Sequence, residues 1–166
     1  MHSQLQEKKF EEIVEIHRDQ VYRMCWGFAK NSFDVDDLFQ EVMINIWKGL
    51  KKFEGKASMS TWIYRITVNT CLLWKRRKSK TIESQEFINV KIDVPIEKSE
   101  SKIDENIIAM RAAFQQLKKI DKTIILLLLE GCSYKEISEI TGLTATNVGA
   151  KISRVKGKIK KIMTKQ

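Results

Sequence analysis

Apolar residues recur at spacings of three and four over most of the chain. Phe10, Ile13, Val14, Val21, Met24, Cys25 and Phe28 form one such series, and Leu38, Val42, Ile46 and Leu50 form a second. That period puts side chains on one face of an α-helix, so both segments are predicted as helices buried along one side. Asp34 is the expected N-cap of the second. Asp36 and Asp37 fall in its first turn, where carboxylates favour the positive end of the helix dipole. A third helix is expected from about Ser60 to Arg77, carrying Trp62, Ile63, Ile66, Cys71, Leu72 and Leu73 and ending in the basic run Lys75-Arg76-Arg77-Lys78.

The helical period lapses between Ser79 and Asn106. This stretch holds the single proline, Pro95, and mixes acids, serines and isolated apolar residues, as a linker does. It is net acidic between two basic segments, so it divides the chain into helical units at 1–78 and 107–166, with 79–106 between them. In the second unit the apolar run Thr123–Leu129 is too short to cross a bilayer and reads as a buried helix. Ser133 and Glu136 have the spacing of a capping box, Gly142 suits a left-handed helix end, and Thr144 caps a further helix striped by Val148, Ile152, Val155, Ile159 and Ile162. Two helices joined by a glycine turn make a helix-turn-helix. The expected fold class is all-α: two small helical domains on a flexible linker, the second a helix-turn-helix domain of winged-helix-like, tetrahelical type.

Charge narrows the partners. Thirty Lys and Arg against 21 Asp and Glu give the 166-residue chain a net +9, which fits a polyanion, either nucleic acid or a membrane surface. No run of about 18 apolar residues is present, and the N-terminus lacks a signal-peptide core. A cytoplasmic protein without membrane insertion is expected. Cys25, Cys71 and Cys132 are widely spaced and only two histidines are present, so no metal, cofactor or disulfide framework is predicted. Cys25 and Cys71 sit at apolar helical positions, as small hydrophobes do. Cys132, beside Gly131, is expected to be more exposed.

After Glu139 no acidic residue occurs, while Lys151, Arg154, Lys156, Lys158, Lys160, Lys161 and Lys165 accumulate. A recognition helix directs its N-terminal residues at base edges and later cations at phosphates. That assigns Thr146, Asn147, Ala150 and Lys151 to bases, and Arg154 and Lys158 to bases or backbone. In the third helix, Trp62, Tyr64, Arg65 and Asn69 precede Lys75, Arg76, Arg77 and Lys78. Aromatic rings with cations suit unpaired nucleic acid. Trp62 and Tyr64 fit a packed core equally well.

One stretch runs against the charge of the whole. Asp36-Asp37-Leu38-Phe39-Gln40-Glu41-Val42, followed by Trp47, opens with acid and carries no basic residue. It resembles the acidic signature and downstream tryptophan of the extracytoplasmic-function (ECF) sigma factors, the small two-domain initiation subunits of bacterial RNA polymerase. Trp62-Ile63-Tyr64-Arg65-Ile66-Thr67-Val68-Asn69 is similar to the family's W-L-Y-x-I-x-x-N pattern. Ser133–Ser138, Gly142-Leu143 and Val148–Lys156 are similar to its second-domain motifs. The resemblance implies that Asp36, Asp37, Leu38, Gln40, Glu41 and Trp47 belong to a docking segment for core RNA polymerase, with Asp37, Gln40 and Glu41 touching the β′ clamp and Leu38 and Val42 packing inward. It further implies contact with the β flap, melting and reading of a −10 promoter element by Trp62–Asn69 and the adjacent basic run, and reading of a −35 element by the second domain. The acidic linker is implied to pass through the polymerase's basic RNA-exit region. Catalysis is left to the polymerase. An anti-sigma factor, in many members membrane-anchored, is an implied partner.

The chain departs from the family pattern at Leu73-Trp74-Lys75 and at Gly149 and Lys151, so promoter sequence is not transferable from relatives. A stand-alone helix-turn-helix regulator would explain the second unit but not the acidic segment. A metal-dependent nuclease built on Asp34, Asp36, Asp37 and Glu41 would need convergent carboxylates, and these share one helix start.

Overall fold

The structure, a computed structural model, describes residues 2–84 and 105–165. Seven helices form among them: α1 (His2–Phe28), α2 (Ser32–Leu50), α3 (Met59–Ser84), α4 (Glu105–Gln115), α5 (Lys119–Leu129), α6 (Tyr134–Thr141) and α7 (Ala145–Thr164). The first three make one unit and the last four the expected tetrahelical unit, with no strand among the described residues. Residues 85–104, which hold most of the expected linker, lie outside the described residues.

The periodic apolar faces meet where the sequence places them. Val21, Cys25, Phe28, Leu38, Val42, Ile46, Ile63 and Cys71 are buried in the first unit, and Ile137, Val148, Ile152 and Val155 in the second. Cys132 is also buried, against the expectation of exposure. The turn that places it lets its backbone N–H bond the Leu127 carbonyl at 3.1 Å, and the thiol faces the core of the second unit.

Helix ends follow their caps. Ser133 Oγ accepts from the Glu136 N–H while Glu136 Oε2 accepts from the Ser133 N–H, closing the capping box on α6. Gly142 ends α6 at φ +77°, a conformation that favours glycine. Thr144 accepts from the Asn147 N–H to start α7. At α2 the expectation fails. Asn31, not Asp34, is the N-cap: its side-chain oxygen accepts from the Asp34 N–H at 2.8 Å, and its amide donates to Asp34 Oδ2 at 3.2 Å. Asp34 is thereby freed for a partner on α3. That helix continues beyond the expected end near Arg77 to Ser84, because no glycine or proline interrupts residues 77–84.

The two units share their cores. One apolar cluster joins Phe28, Leu38 and Ile63 to Phe114, Ile125 and Leu126, and another joins Met24, Tyr64 and Val68 to Ile124, Leu127 and Ile137. Helix α5 lies between them, which is why Thr123–Leu127 is buried without a polar face. Arg23 grips Glu130 through two hydrogen bonds of 2.8 Å, Gln115 donates to the Ala29 carbonyl at 3.2 Å, and Arg65 donates to the Glu139 carbonyl at 3.2 Å. Gly27 marks the closest approach: a Cβ there would lie 2.6 Å from Leu126 Cδ1.

Candidate functional site

Helix α2 has two working faces. Val35, Leu38, Val42 and Ile46 are buried. One half-turn away, Phe33, Asp37, Gln40 and Ile44 form an outward stripe, with Phe33 81% and Ile44 51% exposed. Leu38, named with the docking segment, therefore supports this face from beneath. Trp47 is half-buried, its ring 5.3 Å from that of Phe10 and nearly perpendicular to it. Asp36 is exposed and accepts from the Tyr22 hydroxyl at 3.2 Å. Glu41 is only half-exposed and is paired with Arg77. Phe33 and Ile44 were missed in the sequence, although their spacing of four, three and four through Asp37 and Gln40 marks the face opposite the buried stripe.

Helix α3 does not present one basic-aromatic strip. Trp62 is half-buried with its ring 5.0 Å from Phe53. Gly49 lies beneath it, where a Cβ would come within 3.1 Å of the indole. Asn69 and Arg76 are exposed. Tyr64 is only 6% exposed, enclosed by the second unit, and burial pushes its phenol up to about 12, so it stays neutral. Of the two readings the sequence left open for Tyr64, this arrangement has the packed one. Arg65 is engaged by the Glu139 carbonyl. Lys75 is partly buried against the Phe28 carbonyl, while Lys78 pairs with Asp34 at 3.1 Å and lies over the Trp74 ring. Acids of α2 thus hold the basic run of α3 on Asp34–Lys78 and Glu41–Arg77 pairs.

Helix α7 likewise divides. Thr146, Asn147, Ala150 and Arg154 are exposed on one face. Lys151 and Lys158 turn the other way, to the buried carboxylate of Asp121 at 3.6 and 3.3 Å. Their side chains hold α7 on α5, a correction to the expectation that Lys151 reaches bases. Gly149, one of the departures from the resembled pattern, faces the Tyr134 ring of α6, and a Cβ would sit 3.3 Å from Tyr134 Cε2. The close α6–α7 approach gives this departure a packing reason. Among the described residues no cluster of His, Cys, Asp or Glu is placed to hold a metal, and no helix is long and apolar enough to cross a membrane.

The arrangement therefore offers an acidic and apolar α2 face, a cationic α3 partly covered by the second unit, and an outward polar face at the start of α7. Comparison with known proteins places each in a family. Residues 13–81 match Sigma-70 region 2 and residues 107–159 match Sigma-70 region 4. The chain is 31% identical over 130 residues to RNA polymerase sigma factor SigZ of Bacillus subtilis, covering 78% of this chain and 72% of that one. It is 25% identical over 163 residues to ECF RNA polymerase sigma factor SigE of Mycolicibacterium smegmatis, where the match covers 94% of this chain and 62% of the longer relative. The fold resembles that of the sigma factor RpoE in its complex with the anti-sigma factor NepR from Bartonella quintana, with a TM-score of 0.78 and 15% identity over 95% of this chain and 98% of that one. The chain belongs to the sigma-70 family of RNA polymerase sigma factors, within its extracytoplasmic-function group.

Proposed function

We propose that the chain is an alternative sigma factor that joins core RNA polymerase and directs it to promoters, acting in the cytoplasm where the polymerase works. The outward stripe of α2 docks on the polymerase, with Phe33 and Ile44 as apolar anchors around Asp37 and Gln40. Helix α3 holds the melted −10 element through Trp62, Arg65, Asn69, Arg76 and the basic residues around it. The start of α7 reads the −35 element as duplex through Thr146, Asn147, Ala150 and Arg154. The polymerase supplies the chemistry, and this chain supplies position and sequence choice.

The observation that carries the reading is the contrast between two helices of the first unit. The α2 stripe is open to solvent, whereas Tyr64 and Arg65 of α3 are engaged by the second unit. A closed factor of this form is able to meet polymerase before it is able to hold an opened strand. The units must then separate, which gives an anti-sigma factor a closed state to hold; RpoE, whose fold this chain shares, is found bound to the anti-sigma factor NepR, and CnrH, of similar fold, to the cytosolic domain of CnrY. Run-off transcription with purified core polymerase on a genomic promoter library tests the reading. Defined start sites that need the chain support it, and specific binding to duplex DNA without any polymerase-dependent transcript would replace it with a stand-alone regulator.

A further inference from the structure

Glu130 stands where the local structure disfavours an acid. It caps the C-terminal end of α5, beside the negative end of the helix dipole, and the last turn of that helix holds no basic residue. Its side chain is nonetheless almost wholly covered. The cation that offsets this burial comes from 107 positions away: Arg23 Nε and Nη2 each donate to one Glu130 oxygen at 2.8 Å. The acid thus serves the contact between the units and not the helix that carries it.

Arg23 borders the covered face of α3. Met24, the next residue, shares a buried cluster with Tyr64 and Val68, and Ile124, Leu127 and Ile137 of the second unit complete that cluster. Arg65, beside Tyr64 in the chain, donates to the Glu139 carbonyl at 3.2 Å. Two arginines of the first unit are therefore turned to acceptors of the second. With the units apart, the Tyr64 ring and both guanidinium groups open to solvent, and a ring with cations near it suits single-stranded nucleic acid.

We infer that Arg23 is a further phosphate contact for the opened DNA strand, and that Glu130 masks it in the closed form by holding a carboxylate where a phosphate would sit. The guanidinium fork takes carboxylate and phosphate oxygens in the same two-point geometry, so one anion replaces the other without rearranging α1. The Arg23 side chain is more than half exposed, which keeps the pair with Glu130 weak enough to exchange. Strand and second unit therefore compete for one guanidinium. This role rests on the reading of α3 as the face that holds the opened strand, and it adds a residue of α1 to that face.

The test is binding of a fluorescent single-stranded oligodeoxynucleotide of about 12 nucleotides to the full chain, by anisotropy over a series of potassium chloride concentrations. Glu130→Gln keeps Arg23 and removes the competing charge, and it should tighten binding about fivefold. Adding Arg23→Gln in that background should weaken binding about fivefold or more and lower the slope of log affinity against log salt by about 0.7, the share of one phosphate. If Arg23 only joins the units, Arg23→Gln and Glu130→Gln tighten binding alike, the double variant matches either single one and the slope stays put; that result overturns the phosphate contact. Arg76→Gln reports on the α3 reading itself. Weakening there without weakening at Arg23 overturns the role of Arg23 alone, whereas no single-strand binding by any form overturns both.

Discussion

Arg23 and Glu130 meet through two parallel hydrogen bonds, Nε to Oε1 and Nη2 to Oε2, each 2.8 Å long. The pair links the last turns of α1 to the residue that caps the end of α5, and the Glu130 side chain is only 7% exposed while that of Arg23 is 59% exposed. The bidentate geometry fixes orientation, but exposure of the guanidinium limits its worth to about 1 kcal/mol. Arg23→Ala is expected to loosen the closed arrangement roughly fivefold, seen as a larger radius of gyration in small-angle scattering. An unchanged radius would show that the apolar contacts alone hold the units together.

Gly27 and Leu126 set the distance between the same helices. A methyl group at Gly27 would lie 2.6 Å from Leu126 Cδ1 and 2.7 Å from its Cδ2, and Leu126 is itself buried. Gly27→Ala should destabilise the closed form by about 1–3 kcal/mol, as overpacking does. The double variant with Leu126→Ala is expected to recover part of that loss, because the second change removes the clashing atoms. Denaturant midpoints of the two single variants and the double variant measure the coupling, and strictly additive losses would refute the contact.

The sign of the pH dependence follows from Lys122. Its ammonium is lowered to about 8 from an ordinary 10.5 by burial and by Lys75 and Lys30, so the unfolded chain holds more protons than the folded one between those values. Stability therefore rises with pH through that window, and the full penalty is present below about 8. Burial raises the Cys132 thiol to about 11 and Cys71 well above the ordinary 9, and the Tyr64 phenol from 10 to about 12, so these groups lower stability as pH rises beyond about 9. Urea midpoints from pH 7 to 9 should climb more in the wild type than in Lys122→Met, which should start higher at pH 7. Parallel profiles would exclude Lys122 as the source.

Arg154 and Lys151 separate reading from packing on α7. Arg154 is exposed, and its replacement by alanine is expected to weaken binding of the −35 duplex by about 1–3 kcal/mol with little change in Tm. Lys151 is 28% exposed at its side chain and bound to buried Asp121. Lys151→Ala should lower Tm, with Lys158 remaining as the second partner of that carboxylate. Fluorescence anisotropy with duplex DNA beside a thermal melt distinguishes the two; loss of affinity without loss of Tm in Lys151→Ala would return that lysine to the bases.

Local chemistry was legible in the sequence, and relations between the units were not. The Ser133–Glu136 box, the Gly142 turn, the Thr144 cap and the α7 stripe depend on residues within a few positions of one another. The surroundings of Tyr64 and Lys151 were not legible because they come from residues far along the chain, Tyr64 facing α5 and α6 and Lys151 facing Asp121. Asp34 was taken for a cap because its partner Lys78 lies 44 positions away. Phe33 and Ile44 are a different case. Their place on the exposed stripe of α2 followed from helical spacing, but attention to the acids left the apolar members of the same face unread.

The acidic segment on a basic chain is thus a face of one helix, flanked by apolar anchors, with its partly covered acids Asp34 and Glu41 already engaged by Lys78 and Arg77. In the proposed docking, contact falls to the open residues. The direct measurement is the affinity of the chain for core RNA polymerase, by fluorescence anisotropy without DNA, for wild type, Asp37→Arg/Gln40→Ala and Arg154→Ala. The α2 pair should weaken binding on the order of tenfold or more, as interface-centre substitutions do, while Arg154→Ala leaves it unchanged. Equal affinity of wild type and the α2 variant would contradict docking through this face.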